Sequence, residues 1–223
     1  MNKDNLQSAL VWLFFLVAGL DLIGVGLGLR WMEVTFKPLI MLSLILLYWV
    51  RSQRRNWLYL AALFFSLLGD LFLLDKEGMF LYGVAAFLIT QLLYIVIVRR
   101  GPVRFTRSSL GKASTPFLIY LILLMSVLGP NLGSLYYPVL VYGSVISVFG
   151  MTALQNHMLR RDAASRTLLA GALLFIASDS MIAINKFHAP HMIYPVAIML
   201  TYALAQYYIY LYVISVEEGS DHS

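Results

Sequence analysis

Eight long apolar runs, separated by charged residues or by Pro and Gly, fill almost the whole of this 223-residue chain. They lie near 6–29, 36–50, 57–74, 79–98, 116–130, 135–156, 167–186 and 191–215. An α-helix needs about 20 mostly apolar residues to cross the ~30 Å hydrocarbon core of a bilayer. The pattern therefore predicts an all-α polytopic membrane protein with about eight transmembrane helices, one membrane domain over 1–215 and a polar, frayed cytoplasmic tail over 216–223. Composition points the same way: 61% of residues are apolar and 12% charged, against roughly half and a quarter in soluble domains, which excludes a water-soluble globule. The connections are too short to hide an extramembrane domain, so any chemistry must use groups in or at the bilayer. The second and fifth runs are short; the second is expected to start at the interface at Lys37-Pro38 and the fifth to end at Gly129-Pro130. The first run is too long for the apolar segment of a signal peptide and has no small-residue cleavage site, so it reads as a retained helix.

An even number of spans puts both termini and three loops on one side. Of the 16 Lys and Arg residues, 12 fall on that side and four (Arg30, Lys37, Lys76 and Lys186) on the other. Cytoplasmic loops carry the Lys/Arg excess, so both termini are expected in the cytoplasm, and the protein in the inner membrane if the source is bacterial. The formal charge of +5 is spread over several short loops rather than one continuous face, so no nucleic-acid partner is expected. With no cysteine in the chain, disulfides, thiolate metal sites and cysteine nucleophiles are excluded.

The two halves echo one another weakly. Lys37-Pro38-Leu39-Ile40 aligns with Tyr137-Pro138-Val139-Leu140, Gly69-Asp70 with Ser178-Asp179, and Thr90-Gln91 with Ala205-Gln206, at offsets of 100, 109 and 115. Four helices per half would make this a parallel duplication, with chance similarity among apolar segments as the competing reading.

Three acids fall inside apolar runs: Asp21, Asp70 and Asp179. An unpaired aspartate at mid-helix costs at least ~2.5–3.5 kcal/mol on insertion scales, so each needs a partner, a proton or a water-filled cavity. All three lie on odd-numbered helices, about 13–16 residues beyond the cytoplasmic flank, or roughly 20 Å at ~1.5 Å per residue. That shared depth in the outer half favours a common cavity, with hydrogen-bonded helix packing as the bland alternative. Ser66 and Gly69 permit a close helix neighbour beside Asp70. Ser178 and Ser180 flank Asp179 and are expected to hydrogen-bond it when ionised. Lys37, Tyr82, Asn185, His188 and His191 reach the outer rim of the same layer, whereas Gln91, Tyr94, Tyr202 and Gln206 lie deeper. Lys37 suits a phosphate or merely snorkels to the interface, and the histidines suit proton transfer or a solvated loop. Tyrosines near the span ends read mostly as an interfacial belt.

Other motifs fail on context. Gly24-Val25-Gly26-Leu27-Gly28 continues an apolar helix with no strand before it, so Gly24 and Gly28 read as a helix-packing pair and not a phosphate loop. His157-Met158-Leu159-Arg160-Arg161-Asp162 has the His-x4-Asp spacing of glycerolipid acyltransferases, without a catalytic domain behind it. No G-x-S-x-G or H-E-x-x-H occurs, and no metal or cofactor is expected.

Together, Lys37-Pro38-Leu39, Leu67-Leu68-Gly69-Asp70-Leu71-Phe72-Leu73, Phe87 with Gln91 and Tyr94, Gly171 to Ser180, and Thr201-Tyr202-Ala203-Leu204-Ala205-Gln206 resemble the YhhN-type lysoplasmalogenase family over nearly the whole chain. The resemblance implies an eight-span membrane enzyme that hydrolyses the vinyl ether of a lysoplasmalogen to a fatty aldehyde and a glycerophospho-alcohol. Asp70 and Asp179 are the matching acids, and the implied partners are a lysophospholipid substrate and membrane lipids. The substrate-binding candidates are Lys37, Asp21, Tyr82, Gln91, Tyr94, Ser178, Asn185, Tyr202 and Gln206. The chemistry suits the residues. A vinyl ether resists nucleophiles but accepts a proton on carbon, and a pair of carboxylates can donate that proton and stabilise the cation it creates. A small proton-coupled transporter and a non-catalytic lipid-binding protein remain the alternatives.

Overall fold

Hydrocarbon offers no partner to a peptide N–H or C=O, so a spanning chain satisfies its backbone within itself as helix. The computed structural model describes residues 3–75, 78–101 and 103–219; Lys76 and residues 220–223 of the expected tail lie outside them. The described residues form α1 (Lys3–Leu27), α2 (Arg30–Arg51), α3 (Trp57–Leu74), α4 (Phe80–Arg100), α5 (Arg107–Leu128), α6 (Tyr136–Arg160), α7 (Ala163–Phe187) and α8 (Tyr194–Gly219), with two short 3₁₀ turns between α5 and α6. All eight are long and apolar enough to cross a membrane. Their outward faces carry large apolar side chains such as Trp12, Ile23, Leu118 and Ile122, a surface far too apolar for water.

Polar side chains set where several helices begin. The Asn56 side chain accepts from the backbone N–H groups of Leu58 and Tyr59 at 3.1 and 3.3 Å to start α3, and the Thr106 hydroxyl accepts from Ser109 N–H at 3.3 Å to start α5. Asp162 and Ser165 form a reciprocal capping box on α7. Arg161, at φ 56°, ends α6 in the left-handed region. The His157-x4-Asp162 spacing is thus spent on a helix–turn–helix joint: Asp162 also pairs with Arg160 at 2.7 Å, and His157 Nδ1 lies 3.2 Å from Ser165 Oγ.

α2 and α5 are longer than their apolar runs. α2 starts at Arg30 and carries Pro38 internally, and α5 starts at Arg107 and carries Pro116 internally. Charged and hydroxyl residues that resemble loop in sequence extend each helix beyond its apolar stretch. A proline inside a membrane helix removes one N–H bond without ending the helix. Residues 216–219 of the expected tail belong to α8, which continues to Gly219. Glu217 accepts hydrogen bonds from Tyr48 at 2.6 Å and Ser52 at 2.7 Å, and Glu218 pairs with Arg51 at 2.8 Å. Tyr48 and Tyr212, near helix ends and so expected in the interfacial belt, are instead buried; Tyr212 accepts from Asn156 at 3.4 Å.

The helices group into two units. One comprises the chain up to Leu93 with the end of α8 from Val213, and the other runs from Tyr94 to Tyr212. Within the first, α1 packs on α2 and α2 on α3; within the second, α5 packs on α6 and α6 on α7. Small residues allow the closest approaches. A Cβ on Gly24 would lie 2.5 Å from Met32 Cβ, which confirms Gly24 as a packing position. Gly28 does a different job from the one expected: at φ +67° it makes the left-handed turn between α1 and α2, with open space around it. In the second unit, a Cβ on Gly171 would lie 3.1 Å from the Ala205 carbonyl oxygen, so α7 and α8 touch there backbone to backbone.

Candidate active site

The three aspartates sit six (Asp21), four (Asp70) and eight (Asp179) residues before the C-terminal ends of α1, α3 and α7. At ~1.5 Å per residue that is about 6–12 Å inside each helix end. Their surroundings differ, and the difference follows from what each helix packs against.

In the first unit, Asp70 is 4% exposed. Its neighbour Gly69 is pressed against α4: a Cβ there would lie 2.6 Å from the Phe87 ring. One turn earlier, Ser66 is 3.3 Å from Thr90 Oγ1, and Thr90 reaches the Ala62 and Ala86 carbonyl oxygens at 3.2 Å each. Gln91, next to Thr90, is fully buried. The Ser66–Gly69 spacing thus brings α3 close to α4 beside Asp70, as the small residues predicted. Arg30, from α2, caps the Leu74 carbonyl at the end of α3.

Asp21 is 0% exposed. Neither of its carboxyl oxygens has a hydrogen-bond partner among the described residues. Lys37 and Glu33, both on α2, are the charges that act on it. Lys37 itself lies half-buried within α2, not at its start. Tyr82 is 61% exposed on α4, its ring 5.9 Å from Phe72, which is the position of an interfacial tyrosine rather than a cavity wall.

In the second unit, Asp179 is half-buried, and its Oδ2 accepts a hydrogen bond from the Tyr142 hydroxyl on α6. The flanking serines do not serve it as expected. Ser178 donates to the Ile198 carbonyl of α8 at 3.1 Å, and Ser180 donates to the Ile176 carbonyl of its own helix at 2.6 Å. Both hydroxyls are drawn to backbone carbonyls, so the phenol across the helix interface takes their place. Ser180 Oγ also lies 2.8 Å from the Tyr120 hydroxyl of α5; with the serine proton committed to Ile176, Tyr120 is the donor.

The same unit holds a deep aromatic and amide cluster. Tyr94 donates to Gln206 Oε1 at 2.6 Å, both side chains being buried. The Tyr94 ring stacks 5.6 Å from Phe149 and 6.5 Å from Phe175, and Phe175 lies 5.9 Å from Tyr202. Asn185 is spent on the α7–α8 loop, its Oδ1 accepting from His191 N–H at 3.0 Å. His188 and His191 are exposed, as a solvated loop requires. Sequence reasoning missed Tyr142 and Tyr120. The available signal was Tyr142's depth, seven residues into α6 and about 10 Å from its end, too deep for an interfacial belt.

A polytopic α-helical membrane protein with acids held inside its helices is the class these features define. The sequence profile described as the YhhN family matches residues 32–213, and the chain belongs to that family. It is similar to lysoplasmalogenase TMEM86A of Bos taurus, with 37% identity over 149 residues, covering 65% of this chain and 60% of the relative. It is also similar to lysoplasmalogenase TMEM86A of Homo sapiens, with 34% identity over 165 residues, covering 72% and 66%. A third relative is the uncharacterized membrane protein YhhN of Escherichia coli O6:H1, 29% identical over 154 residues, covering 68% and 73%. The chain spans less than two thirds of the length of the two mammalian relatives. No solved structure is a significant match.

Proposed function

We propose that the protein is a lysoplasmalogenase-like hydrolase that cleaves the vinyl ether of a lysoplasmalogen to a fatty aldehyde and a glycerophospho-alcohol, with Asp70 and Asp179 as the carboxylates that carry the reaction. Membership of the YhhN family and similarity to two lysoplasmalogenases support the activity. The single structural observation that favours catalysis is the Tyr142–Asp179 hydrogen bond. The Tyr142 hydroxyl holds the Asp179 carboxyl from α6, and Asp70 is 4% exposed.

In this proposal Asp70 serves as the acid and Asp179 as the base. Asp70 gives its proton to the alkenyl carbon remote from oxygen, leaving an oxocarbenium ion that the Asp179 carboxylate stabilises. Asp179 then takes a proton from the water that adds to the cationic carbon, forming a hemiacetal. Collapse transfers a proton to the glyceryl oxygen as that C–O bond breaks, and the hemiacetal hydroxyl gives up its own proton as the aldehyde forms. One water is consumed and both carboxyl groups return to their starting states.

The positive-inside asymmetry supports a topology with both termini in the cytoplasm and the three aspartates in the outer half of the membrane. A single-chain lipid then reaches them sideways from the bilayer.

The test is aldehyde release by purified protein from a lysoplasmalogen, beside the saturated ether analogue, which has no double bond to protonate. Wild-type protein is expected to cleave only the vinyl ether. Asp70→Asn and Asp179→Asn are each expected to lose at least about a hundredfold in turnover, the lower end of the range for general acid–base catalysis, while keeping thermal stability. Folded variants with near-native turnover would return the aspartates to a packing role, and proton-dependent uptake without aldehyde would favour a transporter.

A further inference from the structure

The α5–α7 pair of the second unit encloses a groove of about 420 Å³ that Asp179 and Tyr142 do not line. Its walls are almost wholly apolar: Ile119, Leu123 and Val127 form one stripe at helical spacing along α5, and Ile184 faces them from α7. The one polar point is the Tyr120–Ser180 hydrogen bond, with Ser180 next in sequence to Asp179. The groove is open on its outer side, where Ile119 is 53% and Leu123 60% exposed.

Resting on the hydrolase reading, we propose that this groove holds the single hydrocarbon chain of the lysolipid. Three features fix the occupant. The groove lies between helices that span the membrane, so it opens to hydrocarbon and not to water. From Pro116 to Val127 it follows twelve residues of α5, eleven rises or roughly 17 Å at ~1.5 Å per residue, close to the ~15 Å that one lipid chain covers in half of a ~30 Å core. Its volume is near the lower end of the ~300–1,000 Å³ range of small-molecule sites, room for one chain and not two. The polar pair completes the fit. Tyr120 donates to Ser180 and Ser180 to Ile176, so both protons are committed and the pair presents no unpaired donor to a hydrocarbon chain.

The experiment uses full-length protein in nanodiscs and a lysolipid carrying a diazirine on its chain. Photolabel is expected on the α5 stripe and on α7 near Ser180–Ile184, displaced by unlabelled single-chain lysolipid and not by diacyl lipid. In parallel, Leu123→Trp fills the groove from its exposed edge. It is expected to raise KM for a long-chain lysoplasmalogen about tenfold, the worth of about two buried methylenes, with kcat little changed. Leu118→Trp, 57% exposed on the same helix but outside the groove, serves as control and leaves KM unchanged. Label in the groove with no aldehyde from any lysolipid keeps the groove and overturns the hydrolase. Aldehyde release with label elsewhere, equal displacement by diacyl lipid, or a native KM in a folded Leu123→Trp protein overturns the groove.

Discussion

Replacing Tyr142 with Phe removes one hydroxyl and leaves the ring, so it isolates the hydrogen bond that Asp179 receives. A hydrogen bond to a charged group contributes about 1.5–3 kcal/mol, and about 1.4 kcal/mol is tenfold in rate. If the whole of it serves the carboxylate during turnover, Tyr142→Phe slows kcat roughly ten- to 150-fold. Tyr142 is only half-buried, and lipid-side water can replace part of the lost bond, so a value near tenfold is expected. Asp179→Asn keeps an acceptor for the Tyr142 proton but loses the carboxylate, and is expected to be the more severe of the two. The assay is kcat and KM for aldehyde release, read beside the melting temperature of the same preparation. A Tyr142→Phe protein with native kcat and a lowered melting temperature would refute the reasoning and leave the pair as structural glue between α6 and α7.

Gly69→Ala drives a methyl group to within 2.6 Å of the buried Phe87 ring; overpacking of this kind costs about 1–3 kcal/mol, and thermal unfolding in detergent should show the loss. The Asp162 carboxyl, pushed up by burial but held down more strongly by hydrogen bonds from Arg160 and Ser165, lies at about 2 against an ordinary 3.8. Its folded value is depressed, so its contribution is present above pH about 4 and fades as pH falls towards about 2; Asp162→Ala should cost about 1 kcal/mol at neutral pH, as a lost N-cap does, and less in acid. Reporter fusions after Gly219 should be active on the cytoplasmic side only, and activity on the outer side alone would overturn the topology and the depth assigned to the aspartates.

The architecture was largely legible because a membrane span must be both long and apolar, a property visible without knowing any contact. The ends of α2 and α5 were not. Arg30 and Glu33, and Arg107 and Lys112, look like loop by polarity, and Pro38 and Pro116 look like boundaries, yet all lie within helices. At the site, Asp70 and Asp179 stood out by the cost of a carboxylate in hydrocarbon, and the Ser66–Gly69 spacing foretold the close approach of α4. The partners did not stand out. Whether a serine beside Asp179 turns to the carboxylate or to the carbonyl one turn back is a choice of rotamer, and Ser180 takes the carbonyl. That Tyr142 faces Asp179 depends on how α6 is rotated against α7, which periodicity alone leaves open in helices apolar on nearly every side.

Carbon protonation is the step on which the account rests, and isotope incorporation reads it directly. Wild-type protein turning over a lysoplasmalogen in deuterium oxide, with the aldehyde trapped as it forms, should yield aldehyde carrying one deuterium on the carbon next to the carbonyl, while oxygen from labelled water is absent from the glycerol product. Aldehyde without that deuterium, or labelled oxygen in the glycerol hydroxyl, would contradict protonation at carbon and the carboxylate mechanism with it.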